Sequence, residues 1–347
     1  MREPVDSRGR RLRAATGVSL LAVGTFVACS ALAVDRRQPL PPAVSGERRE
    51  TEGRAGRLSY YVAGTGAPLL LVHSINAAAS AYEVRPIYES LNNSRRTYAV
   101  DLPGFGFSDR SDRRYDVGLY VAAIRDMLDV IAADAGPGPV DALAVSLSSE
   151  FLARVAAEEP ERFRTLTLVT PTGFSRGSDK LRGPPGATRE VPGLYAAFAV
   201  PPWNQPLYDL LVSRWSVRFF LKKTFGFDRI DAGLLEYDYR TAHQPGAKNA
   251  PFAFVSGRLF SRDIRSVYER LTLPVWVPHA TRGDFADFSD TGWTRQRPNW
   301  RVDPLPTGAL PQFEQPHEFV AAYERFLAEA GPVAAYSPPS GGRSPRP

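Results

Sequence analysis

A lone serine, Ser146, stands between an apolar run, Val140 to Val145, and a helix pattern, Phe151-Leu152-Ala153-Arg154-Val155. An apolar run of this length fits a strand buried on both faces of a parallel sheet. Strand, serine, helix is the layout of a nucleophile elbow, in which a tight turn presents a hydroxyl above the sheet edge. The motif is usually Gly-x-Ser-x-Gly. Here the flanking positions hold Ala144 and Ser148, which are small enough for the turn. A serine hydroxyl is a poor nucleophile until a base takes its proton, normally a histidine held by a carboxylate. The chain offers four histidines: His73, His243, His279 and His317. Its single cysteine, Cys29, excludes an internal disulfide.

A scaffold must hold these groups. The chain has 347 residues, 43% hydrophobic and 23% charged, enough for one large α/β domain with an insertion or for two small domains. Formal net charge is +6, half of it on residues 1–28. The remainder is too mild to argue for nucleic acid, and no basic face interleaved with aromatics is present. No metal-ligand cluster, nucleotide loop or cofactor motif occurs, so no cofactor is expected.

Residues 1–34 hold a basic run, Arg2 to Arg13, and then an apolar stretch from Gly17 to Val34. That order is an export signal or an anchor. Phe26-Val27-Ala28-Cys29 resembles a bacterial lipoprotein box. The three readings are an uncleaved anchor, a lipidated Cys29 and a cleaved signal. Each puts the protein in the cell envelope, at a membrane or exported, and not in the cytosol. Residues 35–50 are rich in Pro, Arg and Glu and read as a solvated linker.

Strands are expected at Leu58–Val62, Leu69–Val72, Tyr98–Val100, Val140–Val145 and Thr165–Val169. Apolar positions at helical spacing separate the last three. Strands alternating with helices imply a doubly wound, mostly parallel sheet, with a core over residues 51–174 and 263–331. Between them, residues 175–262 lack a strand run. They read as a helical cap, with helices over Leu207–Phe225 and Asp231–His243. The sheet resumes at Leu273–Val277 and near Trp300–Val302, and a last helix covers Glu318–Ala328. Both ends lack apolar periodicity, so residues 51–331 are expected to fold as a unit. Residues 332–347 read as a disordered tail.

This order of motifs resembles the α/β-hydrolase superfamily, with a helical cap. A strand ends in His73-Ser74, where many members have His-Gly. Asp101-Leu-Pro-Gly104-Phe-Gly106-Phe-Ser108 fits D-x-P-G-x-G-x-S. Ser146 sits at the elbow. Pro274–Val277 matches the strand before the acid, and Gly308-Ala309-Leu310-Pro311-Gln-Phe-Glu314-Gln-Pro316 matches G-H-x-P-x-x-E-x-P. The resemblance implies a fold and a set of site residues. Ala309 occupies the position of the triad histidine. The acid position falls on Asp284, with Asp287 second. Oxyanion donors would be the N–H of Leu147 and that of Ser74 or Ile75, with the Ser74 hydroxyl or Asn76 amide as substitutes. The resemblance makes His73 a brace for the oxyanion loop and packs His279 beneath the site. His243, ending a cap helix that can point down at Ser146, is the candidate substitute base.

Two functions follow. One is a serine hydrolase acting on a small ester or acyl compound, with Ser146 as nucleophile, Asp284 as acid and His243 or a water as base. The other is a pseudo-enzyme that kept the pocket, lost the base and binds a ligand or partner. The many cap aromatics favour an apolar small molecule in either case.

Overall fold

Val140–Val145 is buried along its whole length, and a strand covered on both faces belongs inside a sheet with helices on each side. The computed structural model describes residues 30, 32, 34–36 and 38–331. Among them, eight strands form one sheet in the order β1-β2-β4-β3-β5-β6-β7-β8. They are β1 (Glu47–Gly53), β2 (Gly56–Ala63), β3 (Pro68–Val72), β4 (Arg96–Asp101), β5 (Val140–Val145), β6 (Phe163–Val169), β7 (Val275–Ala280) and β8 (Trp300–Leu305). The strand β2 pairs antiparallel with β1 and β4. From β4 to β8 every pairing is parallel.

Side-chain alternation along the strands sorts the core into two layers. Leu70, Val72, Ala142 and Ala144 face the helices Val117–Ala135 and Ser148–Glu158. Leu69, Leu71, Leu143 and Trp276 face the helices Arg85–Leu91 and Pro316–Glu329. Trp276 packs among Phe319, Tyr323 and Phe326 of the last helix. This is an α/β-hydrolase fold.

Between β6 and β7 the chain is helical: Leu194–Ala199, Asn204–Leu211, Arg214–Phe225, Ala232–Ala242, Asn249–Val255 and Ile264–Glu269. The expected helix over Leu207–Phe225 is two helices. Ser213 caps the second by accepting from the Ser216 N–H, and Gly226 ends it at φ 70°, a conformation that glycine adopts without a Cβ clash.

The linker expected over residues 35–50 is corrected at its end. Glu47–Gly53 is the edge strand β1, paired with β2 over its whole length. Its sequence, ERRETEG, carries no apolar alternation because both faces are wet. Charge on an edge strand also blocks pairing with another chain. The segment before it is packed too. Ala43 and Val44 are buried, the Ala43 N–H donates to Tyr61 Oη at 3.1 Å, and Tyr237 Oη donates to the Pro41 carbonyl at 2.9 Å. Removing residues before 51 therefore takes away part of the folded unit. The expected signal or anchor lies outside the described residues apart from residues 30, 32 and 34, and the expected tail lies wholly outside them. Among the described residues, no helix is long and apolar enough to cross a membrane.

Candidate functional site

The elbow is built as its sequence requires. Ser146 has φ 54°, a left-handed conformation that disfavours any residue with a Cβ. Its N–H donates to the Val169 carbonyl at 2.8 Å, and its carbonyl accepts from the Ser149 N–H at 3.1 Å. The turn leads directly into the helix Ser148–Glu158, with Leu147 at the N-cap. An N-cap N–H has no partner inside its own helix, so Leu147 remains a candidate oxyanion donor. Ser148 is fully buried, which leaves no room there for a larger side chain.

Among the described residues, no hydrogen bond joins a histidine to Ser146. His73 is fully buried, with Nε2 accepting from the Leu102 N–H at 2.9 Å and Nδ1–H donating to the Ser74 carbonyl at 2.6 Å. Burial pushes its pKa down to about 3, so it stays neutral and braces the loop after β3. His279 stacks on Phe288 at 4.1 Å between ring centroids and donates to the Ala280 carbonyl. It lines a recess beside β8 with Trp300 and Pro304. His317 is exposed.

His243, expected as the substitute base, is corrected to a structural role. It caps the helix Ala232–Ala242, and its Nδ1–H donates to the Tyr239 carbonyl at 2.6 Å. Its ring packs on Tyr239. The charges that act on it belong to Asp209, Arg36 and Arg214, and no contact joins it to Ser146.

The acid candidates are surface groups. Asp284 pairs with Lys223 Nζ at 2.5 Å and is about half exposed, at 53%. Asp287 is exposed and accepts from the Arg176 N–H and from Ser289. Ala309 is buried, and its N–H donates to the Thr224 carbonyl at 2.8 Å. The neighbouring Gly308 donates to Glu314 Oε1 at 2.7 Å, and Glu314 pairs with Arg282. A Cβ on Gly308 would lie 2.4 Å from the Thr224 oxygen, so the end of the cap helix Arg214–Phe225 seals this loop.

The oxyanion loop is occupied by a residue the sequence did not single out. Glu83, only 3% exposed, accepts from the Ser74 N–H at 2.7 Å, the Ser74 hydroxyl at 2.9 Å and the Asn76 amide at 2.8 Å. The expectation of Ser74 as an oxyanion donor is therefore corrected: both its donors serve an internal carboxylate, and Asn76 serves the same one. Burial raises the Glu83 pKa, against the pull of these hydrogen bonds. In sequence, Glu83 is one acid in Ser80-Ala-Tyr-Glu-Val84, with nothing to mark it as buried.

Above this loop lies a cavity of about 270 Å³. Asn76, Ala77 and Ala78 line it from the core. Cap residues including Leu221, Thr224, Phe254 and Asp238 line it from above. Ser146 is not among the lining residues. Asp238 is 3% exposed, and its Oδ1 has no hydrogen-bond partner. Burial, then the nearby Glu83 and Asp231, push its carboxyl well above the usual range. Sequence reading missed Asp238 as well, because Leu-Leu-Glu-Tyr-Asp-Tyr-Arg looks like an ordinary amphipathic turn. Among the described residues, no cluster of His, Cys, Asp and Glu could hold a metal ion.

Known proteins agree with this architecture. Residues 67–228 match the family model described as alpha/beta hydrolase fold, and the chain is an α/β-hydrolase-fold protein. It is 29% identical over 129 residues to the 2-hydroxymuconate semialdehyde hydrolase of a Pseudomonas species, covering 37% of this chain and 44% of that one. It is 32% identical over 114 residues to the 2-hydroxy-6-oxo-2,4-heptadienoate hydrolase of Pseudomonas putida, covering 32% and 40%. The chain thus matches less than half the length of these curated relatives. The structure of a thermophilic esterase from Thermogutta terrifontis superposes with a TM-score of 0.62 at 16% identity, covering 82% of this chain and 99% of that one.

Proposed function

We propose that this protein is a catalytically impaired member of the hydrolase fold that binds a small apolar molecule in the cavity between cap and sheet. One observation carries the reading. The loop after β8 is tied to the cap through the Ala309 N–H and the Thr224 carbonyl, and Ala309 is the residue that the resemblance puts at the position of the triad histidine. The hydrogen bonds that His73, His243 and His279 make to backbone groups, and those of the Ser74 donors to Glu83, support the same reading. The basic run and apolar stretch before residue 35 support a place in the cell envelope.

Treatment of the full chain with a fluorophosphonate probe tests it. General-base assistance contributes about 10²–10⁴-fold, so labelling of Ser146 should be slower by that order than in a hydrolase with a complete triad. Rapid labelling that Ser146→Ala abolishes would overturn the proposal.

A second reading, hydrolysis of a small ester or acyl compound through Ser146, draws on the left-handed backbone kept at that residue. Strain of this kind persists where surrounding structure enforces it, often at active sites. The hydrolase names of the relatives favour the same class. Here a water would act as base and Leu147 as an oxyanion donor.

A further inference from the structure

We propose that the cavity takes a lipophilic amine, its ammonium group against the Asp238 carboxylate and its hydrocarbon body among Phe220, Phe254 and Phe285. The inference rests on the reading of this cavity as a binding site and names the ligand class.

Asp238 is the polar group of the lining that nothing else uses. The Asn76 amide serves Glu83, and its oxygen accepts from the Ala78 N–H. The Thr224 hydroxyl donates to the Phe220 carbonyl of its own helix. The Asp238 Oδ1 has no hydrogen-bond partner, although the residue is 3% exposed. An unsatisfied buried polar group is destabilising, so a ligand that satisfies it binds more tightly than one that does not.

Charge selects the ligand. No arginine or lysine lines the cavity. The buried acid acting most strongly on Asp238 is Glu83, whose hydrogen bonds come from Ser74 and Asn76 and not from a cation. A carboxylate ligand would face two acids with no counter-ion. A neutral alcohol or ketone satisfies one hydrogen bond and leaves the acids as they are. An ammonium ion makes charge-assisted hydrogen bonds, and aromatic faces attract a cation at short range. The step balances. The ammonium enters charged, Asp238 loses its proton to solvent, and N–H···O hydrogen bonds form without any covalent change.

Calorimetry on the full chain with three eight-carbon probes tests this: octylammonium, 1-octanol and octanoate. Octylammonium should bind roughly tenfold to hundredfold tighter than octanol, the value of a charge-assisted bond, and octanoate should bind weakest. Titration in two buffers of different ionisation enthalpy should show about one proton released per amine bound. Asp238→Asn should abolish both the preference and the proton release. The three-probe comparison on the parent needs no variant, so a misfolded Asp238→Asn leaves the test intact. Octanol binding as tightly as the amine overturns the proposal while the cavity remains a binding site. Failure of all three probes overturns both.

Discussion

The Ala309 N–H and the Thr224 carbonyl are joined by a hydrogen bond of 2.8 Å. It fastens the loop after β8 to the last turn of a cap helix. In a triad hydrolase that loop presents an imidazole to the nucleophile. Here its backbone is spent on the cap, and the neighbouring Gly308 has no space for a Cβ. The loop after β8 and the end of the cap helix are thus one local arrangement.

Ala309→His should therefore lower stability and fail to create a fast nucleophile. Ala309 is 7% exposed, and overpacking a filled site costs roughly 1–3 kcal/mol. Urea unfolding and fluorophosphonate labelling of the variant check this together. Unchanged stability with rapid labelling would show that the loop has room and that Ser146 lies within reach.

Ser146→Gly should stabilise the fold. The left-handed φ of 54° costs a residue with a Cβ about 1–2 kcal/mol, offset in part by the freedom that glycine adds to the unfolded chain. The net gain should be about 1 kcal/mol or less. A loss of stability would mean that the serine hydroxyl holds the elbow together.

Asp238 makes stability depend on pH with a definite sign. Burial, with Glu83 and Asp231 nearby, holds its carboxyl well above the usual carboxylate range in the folded state. Above that usual range the unfolded chain has released a proton that the folded chain retains, so folding takes one up. Stability from this group is present at low pH and is lost as pH rises toward the folded pKa, by up to about 1.4 kcal/mol per unit. Asp238→Asn removes the slope. Unfolding curves for both proteins from pH 4 to pH 8 should diverge steadily, and parallel curves would refute the assignment.

Asp141 anchors the N-terminal end of β5. It is 1% exposed and pairs with Arg95 at 2.7 Å and Arg164 at 2.6 Å. Asp141→Ala leaves two half-buried guanidinium groups without their partner and should cost roughly 3–5 kcal/mol. A denaturant midpoint within error of the parent would show that water replaces the carboxylate.

Much of this fold was legible because parallel strands declare themselves. Leu69–Val72 and Val140–Val145 are continuous apolar runs, and β5 has the bounds expected from sequence. The edge strand β1 was not legible, since ERRETEG faces water on both sides and only hydrogen bonds to β2 define it. Ser146 was readable from strand, small residue and helix. The fates of Asp284 and Ser74 were not, because each depends on a partner that the fold brings up, Lys223 and Glu83 respectively, while His243 turns back onto Tyr239 of its own helix. Asp238 illustrates the general difficulty. A helical pattern says which face of a helix is buried, but not that the face closes on a cavity with no cation in it.

The segment before β1 reaches the cap before it reaches the sheet. Arg36 pairs with Asp209, the Gln38 carbonyl accepts from Gln244, and the Pro41 carbonyl accepts from Tyr237. All three partners are cap residues. A mechanical load applied near residue 30 would therefore be borne first by the cap and only then by the β1–β2 hairpin. Tension at that end would unzip these three attachments in order before it stressed the strand pairing, so the roof of the cavity is the first part of the molecule to feel a pull.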